Sequence, residues 1–344
     1  MKFSKKSYVG PISVSAILVA LVPIALFQNC SRPVEYIGNA EIKASEDPPL
    51  LATEAASTAV PAPVVTPVAT PTIPPANAIC DINSAQVAGL RKGLVAELFY
   101  RNAEYKASIN DVLQFELPIV AKKSDKTIFF GQINTPPQNF SYGFSTSAGE
   151  FVKNDSGTKL EEWFSLKYAS SLMVTTDAEA GYYEFSSLSD DGFLMEVFVD
   201  GKWVRMIDNN GTHSPRLKCS VHSLKLEKNK PVQLRAWYYQ GPRTLIANML
   251  LWRKVTACDS ATAGQPGLDP AIFNAGNQIL SCTKSEVACA IDGNSNSGYA
   301  NFFNTDTKTA LQPYLDLEDR GWKVVPSKHF ILPGTLENPC AQGK

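Results

Sequence analysis

Residues 193–204 read FLMEVFVDGKWV. A run of β-branched and aromatic residues ends at Val199, Asp200-Gly201 interrupts it, and Trp203-Val204 resumes the apolar pattern. An Asp-Gly pair between two apolar runs is a hairpin signal, because a type I′ turn needs positive φ at both central positions. The pattern extends in both directions. Tyr182-Tyr183-Glu184-Phe185 precedes it; Val232–Tyr239 and Leu245–Trp252 follow, with Gln240-Gly241-Pro242-Arg243 turning the chain between them. Many short strands between turns, with a helical stretch only near Ile109–Phe115, predict an all-β fold: an antiparallel β-sandwich or barrel.

The N-terminus addresses the chain. Lys2, Lys5 and Lys6 are followed by no charge until Arg32, and Val9–Phe27 is apolar but broken by Pro11 and Pro23. A basic start, an apolar core and a processing site describe an export signal. The same 19 residues are long enough for an uncleaved anchor helix. The stretch resembles a bacterial lipoprotein signal, which implies lipidation at Cys30 and, with Ser31 after it, an outer-membrane or cell-surface lipoprotein. Leu26-Phe27-Gln28-Asn29 stands where the usual lipobox has small residues.

Residues 31–77 differ in composition. The 28 residues of 48–75 hold eight prolines and one charge, Glu54. Proline removes backbone donors and holds extended conformations, so this segment reads as a tether spanning about 3.1 Å per residue. From residue 78 the chain reads as globular, with a β-domain over 78–257. Residues 258–344 form a Cys-containing, loop-rich appendage that packs on the sandwich or makes a small module. Net charge is −1 with no basic block, which excludes electrostatic nucleic-acid binding.

Seven cysteines are present. With Cys30 set aside for lipid, Cys80, Cys219, Cys258, Cys282, Cys289 and Cys340 make the even set of an exported disulfide-bonded domain. Their pairing is open; Cys282 with Cys289 closes a short loop, and Cys80 with Cys258 would clasp the ends of the β-domain. No paired spacing of Cys and His suggests zinc.

Chemistry concentrates at Ser187–Phe193, SLSDDGF. Asp190-Asp191 is either a polar turn accepting backbone N–H bonds or a hard-cation site, since calcium takes six to eight oxygen ligands. A catalytic pair fits poorly. Catalytic carboxylates face each other across about 5–10 Å, whereas neighbours in a strand point apart. Neither G-x-S-x-G nor H-E-x-x-H occurs. No catalytic residue is assigned, and a binding protein is expected rather than an enzyme. Trp203, Trp237, Tyr238, Tyr239 and Trp252 read first as core and second as stacking surfaces, Trp237 and Tyr239 being the ligand-binding candidates. His213 reads as a loop hydrogen-bonder. Arg243 reads as a solvated charge or a partner for an anionic ligand.

The order of Gly93–Tyr100, Trp163–Tyr168, Gly181–Phe185, Ser189-Asp190-Asp191-Gly192, the Asp200-Gly201 hairpin, Leu234–Tyr239 and Asn248–Trp252 resembles a PA14 domain. The resemblance covers about 160 residues, nearly half the chain. It implies a β-sandwich accessory module of the kind found in glycosidases, adhesins and toxins, with carbohydrate binding as its commonest role. It further implies that Asp190 and Asp191, joined by a cis peptide, hold calcium, with a third ligand from Gln240 or from Asn209 and Asn210. The expected partners are then a glycan or cell-envelope component and, through lipid, a membrane. The alternative is a structural or protein-interaction lipoprotein that binds neither sugar nor metal.

Overall fold

The computed structural model describes residues 77–84, 87, 89–255, 279–281, 297–299 and 301–341. The export signal, Cys30, nearly all of the expected tether, and Cys258, Cys282 and Cys289 lie outside the described residues. Among those described, no helix is long and apolar enough to cross a membrane.

Strands dominate: β1 (Ala78–Cys80), β2 (Leu94–Arg101), β3 (Ala121–Phe130), β4 (Asn134–Asn139), β5 (Phe164–Leu172), β6 (Gly181–Asp190), β7 (Phe193–Val199) and β8 (Lys202–Asn209). They continue with β9 (Arg216–Leu226), β10 (Val232–Gln240), β11 (Leu245–Val255), β12 (Ile279–Ser281), β13 (Ser297–Tyr299), β14 (Lys323–Val324) and β15 (Phe330–Ile331). One helix, α1 (Gln312–Asp319), and short 3-10 turns complete the described residues. One sheet runs β1-β3-β2-β5-β10-β7-β8, with β15 also on β5. The other runs β12-β9-β6-β11-β14, with β13 on β9 and β4 on β11. Among the described strand pairs only β1–β3 is parallel, with one isolated parallel bridge between Val174 and Lys228. The expected all-β sandwich is what forms.

The Asp-Gly turn behaves as its residues dictate: Asp200 and Gly201 take φ of +49° and +78°. Val199 then faces Lys202 across a two-residue loop. Alternation along β10 decides which residues go where. Leu234, Ala236 and Tyr238 enter the core between the sheets, while Trp237 and Tyr239 face outward. The core also takes Leu94, Leu166, Phe185, Phe193, Leu250 and Trp252. Each fully buried side chain of this kind contributes roughly 1.5–3 kcal/mol. Trp252 stacks on Tyr183 at a centroid distance of 4.3 Å.

Both outer faces carry covers. On the first sheet, residues 109–121 lay Ile109, Val112, Phe115 and Val120 over Phe99, Leu194, Trp237 and Tyr239. The helical stretch expected at Ile109–Phe115 is a single 3-10 turn, Val112–Glu116. Asp111 caps it through Leu113 N–H, and Leu117 beyond it is extended, so the turn does not propagate. On the second sheet, Phe302, Phe303, Tyr314, Leu317 and Trp322 cover Leu188, Leu217, Met249 and Leu251.

The C-terminal segment therefore packs on the sandwich and also adds β14 and β15 to its two sheets. From β15 it continues along residues 90–92. Leu332 N–H donates to Arg91 O at 2.9 Å, and Asn338 N–H donates to Leu90 O. This path brings Cys340 beside Cys80, and the two form a disulfide. The expected Cys80–Cys258 clasp is thus corrected: the partner of Cys80 is set by the returning strand at the C-terminus, not by the end of β11. Cys219 is disulfide-bonded as well.

Candidate functional site at the end of the sandwich

Strand β6 ends at Asp190, β7 begins at Phe193, and the Asp190–Asp191 peptide is cis. The link is pinned from β10: Asp191 N–H donates to Tyr239 O at 3.2 Å, and Tyr239 N–H donates to Gly192 O at 3.0 Å. The two carboxylates have opposite surroundings.

Asp191 is held. Its Oδ1 accepts from His213 N–H at 2.8 Å and its Oδ2 from Gly241 N–H at 2.6 Å. It thereby ties the 209–213 loop to the 240–243 loop. A Cβ at Gly241 would lie 2.7 Å from that Oδ2, so only glycine lets the backbone approach this closely. Burial nonetheless outweighs both hydrogen bonds and pushes the Asp191 carboxyl up to about 6.

Asp190 is 3% exposed. Its main-chain carbonyl accepts from the Tyr238 hydroxyl at 2.7 Å. Among the described residues its carboxylate accepts no hydrogen bond, and its oxygens keep a trace of solvent access. Burial first, and the Asp191 charge second, push it up to about 9. A buried carboxylate with no donor is costly as an anion. This one can be satisfied by a proton or by a cation.

The other expected site residues are placed differently. Asn209 is fully buried; its amide donates to Ser189 Oγ and Arg216 O, and its Oδ1 accepts from Arg216 Nε at 2.7 Å. Asn210 Oδ1 accepts from Val112 N–H at 3.0 Å, and its Nδ2 donates to Asp111 Oδ1 at 2.7 Å. It latches the 109–121 cover to the loop that holds Asp191. The Tyr238 hydroxyl shares its one proton between Asp190 O and the Gln240 Oε1, 2.8 Å away, and Gln240 Nε2 donates to Leu245 O. All three amides brace the loops around the doublet, and their oxygens are already engaged.

Trp237 and Tyr239 lie beneath the cover, with Phe115 at 5.7 Å from the Tyr239 ring. Trp237 Nε1 donates to Glu116, and the Tyr239 hydroxyl meets Thr212 Oγ1 at 2.8 Å. Arg243 projects into solvent, 3.3 Å from Glu162. The two ring nitrogens of His213 lie 2.9 Å from Ser214 O and 3.0 Å from Asn209 O, one of which accepts from the ring N–H, and burial lowers its pKa. Three contributors were not singled out as site residues from sequence: the His213 backbone N–H, Gly241 and the Tyr238 hydroxyl. Only Gly241 had a legible signal, as the glycine of the Gln240–Arg243 turn.

Calcium fits this donor set in its charged part. Two adjacent carboxylates feel each other's charge, and one of them has no hydrogen-bond donor among the described residues, which is oxygen chemistry a hard cation takes. No group of three or more His, Cys, Asp or Glu side chains occurs among the described residues. Further ligands then have to come from main-chain carbonyls, water or a bound molecule's hydroxyls.

No family model and no curated protein matches the chain. Solved structures do. It is similar to a PA14 sugar-binding domain from an RTX adhesin, at 19% identity over 48% of this chain and 90% of that one, TM-score 0.34. It is also similar to the PA14 domain of the MpAFP antifreeze protein, at 16% identity over 57% and 93%, TM-score 0.35. A third is the Epithelial Adhesin 6 A domain of Candida glabrata in complex with Galb1-3GlcNAc, at 11% over 53% and 87%, TM-score 0.32. An anti-sigma factor domain-containing protein matches at 19% identity and TM-score 0.31, over 48% of this chain but only 43% of its own length.

Proposed function

We propose that this chain is an exported, membrane-tethered binding protein whose PA14-like sandwich recognises carbohydrate through a calcium-dependent site at Asp190 and Asp191. It is a binding module rather than an enzyme. One observation carries the reading: the Asp190 carboxylate is buried, open to solvent by a trace, and lacks a donor among the described residues, beside a second carboxylate held in place by two backbone N–H groups. When bound, calcium would supply the missing counter-charge and open coordination positions for vicinal hydroxyls. Asp191 keeps the two loops together, Tyr238 fixes the Asp190 main chain, and Asn210 holds the cover shut beside them. The Cys80–Cys340 disulfide supports an oxidising compartment. Export and the lipid anchor at Cys30 rest on the N-terminal sequence alone.

A saccharide array probed with the full chain, in calcium and again in chelator, tests this. The expected result is a restricted set of bound glycans whose signal disappears in chelator. Binding that survives chelation would remove calcium from the account, and a blank array across diverse sugars would remove carbohydrate.

A further inference from the structure

Three of the eight exposed large apolar side chains among the described residues, Leu113, Leu117 and Ile119, lie on the 109–121 cover of the first sheet. Ile119 is 76% exposed and Leu117 50%. With Pro118 between them they make three consecutive exposed apolar residues at the turn that leads into β3. Apolar side chains scattered singly over a surface need no account, whereas three in a row on one turn do.

The main chain of this turn is largely provided for from within. Leu117 N–H donates to Gln114 O at 3.0 Å, and Leu117 O accepts from Val120 N–H at 2.9 Å and from Ala121 N–H at 3.0 Å. Pro118 has no N–H to satisfy. Asn102, just past the end of β2, donates its Nδ2 to Pro118 O at 2.8 Å and to Ile119 O at 3.1 Å. Only the Ile119 N–H of the turn makes no bond among the described residues. An exposed turn ordinarily leaves its carbonyls to water. One whose carbonyls are engaged by the protein gives up little when it leaves water for lipid.

Register places the turn in the domain. Arg101 faces Ala121, Tyr100 and Gln240 both face Phe164, and Tyr238 faces Phe193. The turn therefore stands at the end of the sheet where the doublet lies, and Asn210 ties the two through Asp111. β1 runs parallel to β3 with Ala78 opposite Thr127, so the N-terminal end of β1 is the end nearer the turn, about 20 Å along β3 at 3.3 Å per residue. The chain thus joins the domain at the end of β1 that faces the turn. Four apolar side chains fall far short of the roughly 20–30 residues a side of a stable protein interface. A lipid surface needs only an apolar point. The neighbouring cations Lys122, Lys123 and Lys167 are paired with Asp155, Glu97 and Glu116, which leaves apolar insertion rather than headgroup charge as the source of attraction.

We propose that Leu117-Pro118-Ile119 is a lipid-insertion tip that seats the domain, doublet end first, on a phospholipid surface. The proposal rests on the membrane-tethered reading above. The tip does not cross the bilayer: its side chains enter the boundary between headgroups and acyl chains, while Phe115 and Val120 stay packed on the sheet. Seated in this way, the candidate site faces the membrane surface rather than bulk solvent.

Fluorescence of the full chain with phosphatidylcholine vesicles tests this, one tryptophan being added at a time. Ile119→Trp reports on the tip, and Lys230→Trp reports on an exposed position at the opposite end of the sheet, beside the start of β10. The emission added by Ile119→Trp is expected to shift to shorter wavelength with vesicles, to be quenched by brominated lipid and to be shielded from iodide, in high salt as in low. The emission added by Lys230→Trp stays open to iodide. Adding Leu117→Asp to Ile119→Trp is expected to abolish the lipid quenching and to leave the thermal midpoint in place, since both side chains are exposed. If the chain floats with the vesicles and the Ile119→Trp emission stays open to iodide, the proposal is overturned while the tether stands. If the chain does not float with them, the tether falls as well. Quenching lost in high salt would assign the contact to headgroup charge. Iodide shielding that grows with protein concentration without vesicles would assign the tip to a second copy. Either result overturns the insertion.

Discussion

Replacing both Cys80 and Cys340 by serine is expected to destabilise the folded chain by about 5 kcal/mol, taking the chain-entropy relation for a long closed loop. The disulfide joins residues 260 apart in sequence, so its loss frees nearly all of the described chain in the unfolded state. Domains of this kind hold only about 5–15 kcal/mol in total. What remains to hold the returning segment is short. β1 and β15 are strands of three and two residues, helped by the Leu332–Arg91 and Asn338–Leu90 backbone bonds and by Asn338 Nδ2 donating to Lys92 O. Denaturant titration of the double variant is the right measurement, because reductant would also attack the disulfide at Cys219. A large fall in midpoint is expected. A change below about 1 kcal/mol would mean that strand pairing and the packing of Phe302, Phe303, Tyr314, Leu317 and Trp322 fix the C-terminal segment without the disulfide.

The second large effect belongs to pH and to Asp190→Asn. Burial and the neighbouring charge raise the Asp190 carboxyl from 3.8 to about 9, and burial raises Asp191 from 3.8 to about 6. Between the unfolded and folded values the native state holds protons that the unfolded chain has released. Stability therefore falls as pH rises through that window, by at most about 1.4 kcal/mol per pH unit for each group. Well below the unfolded value of 3.8 both states are protonated and the slope vanishes. Asp191 stops contributing near pH 6, and Asp190 continues toward pH 9. Asp81, at 5% exposure with Oδ2 unpaired and a carboxyl raised by burial to about 7, adds to the same slope.

The calcium-free wild type is thus expected to be more stable at pH 5 than at pH 8. An amide in place of the Asp190 carboxyl never ionises. Asp190→Asn is expected to flatten the curve above pH 7, where Asp81 stops contributing, and to exceed the wild type by several kcal/mol at pH 8, bounded by the same relation. Thermal midpoints in chelator at pH 5, 6.5 and 8 check this. A wild type whose midpoint does not fall from pH 5 to pH 8 would show that Asp190 already has a donor. That result would remove the main support for a cation there.

The hairpin was legible because Asp200-Gly201 has a local reason to turn: two positive φ angles in adjacent residues. The sandwich followed from strand length and turn spacing. Asp190-Asp191 stood out as two acids between apolar runs, and the resemblance to PA14 domains added the cis peptide that the structure contains. The division of labour within the doublet was not legible. It depends on which backbone N–H groups arrive from residues 213 and 241; Gly241 marked a turn, but neither loop's path to the doublet had a local signature. Asn209, Asn210 and Gln240 looked like free oxygens because an amide's partners are set by the fold, here at Arg216, Val112 and Leu245. Trp237 and Tyr239 read first as core and second as platform, and they are buried beneath the 109–121 cover. The partner of Cys80 was out of reach for a similar reason, since it depends on a strand that returns from the far end of the chain.

Titration of the chelated full chain with calcium chloride in a calorimeter at pH 8, wild type beside Asp190→Asn, tests the central claim most directly. The account predicts one saturable site on the wild type, proton release on binding near and below the raised carboxyl values, and loss of the site in the variant. Equal heats from both proteins, or no saturable heat from the wild type, would contradict it and leave the doublet as a polar turn.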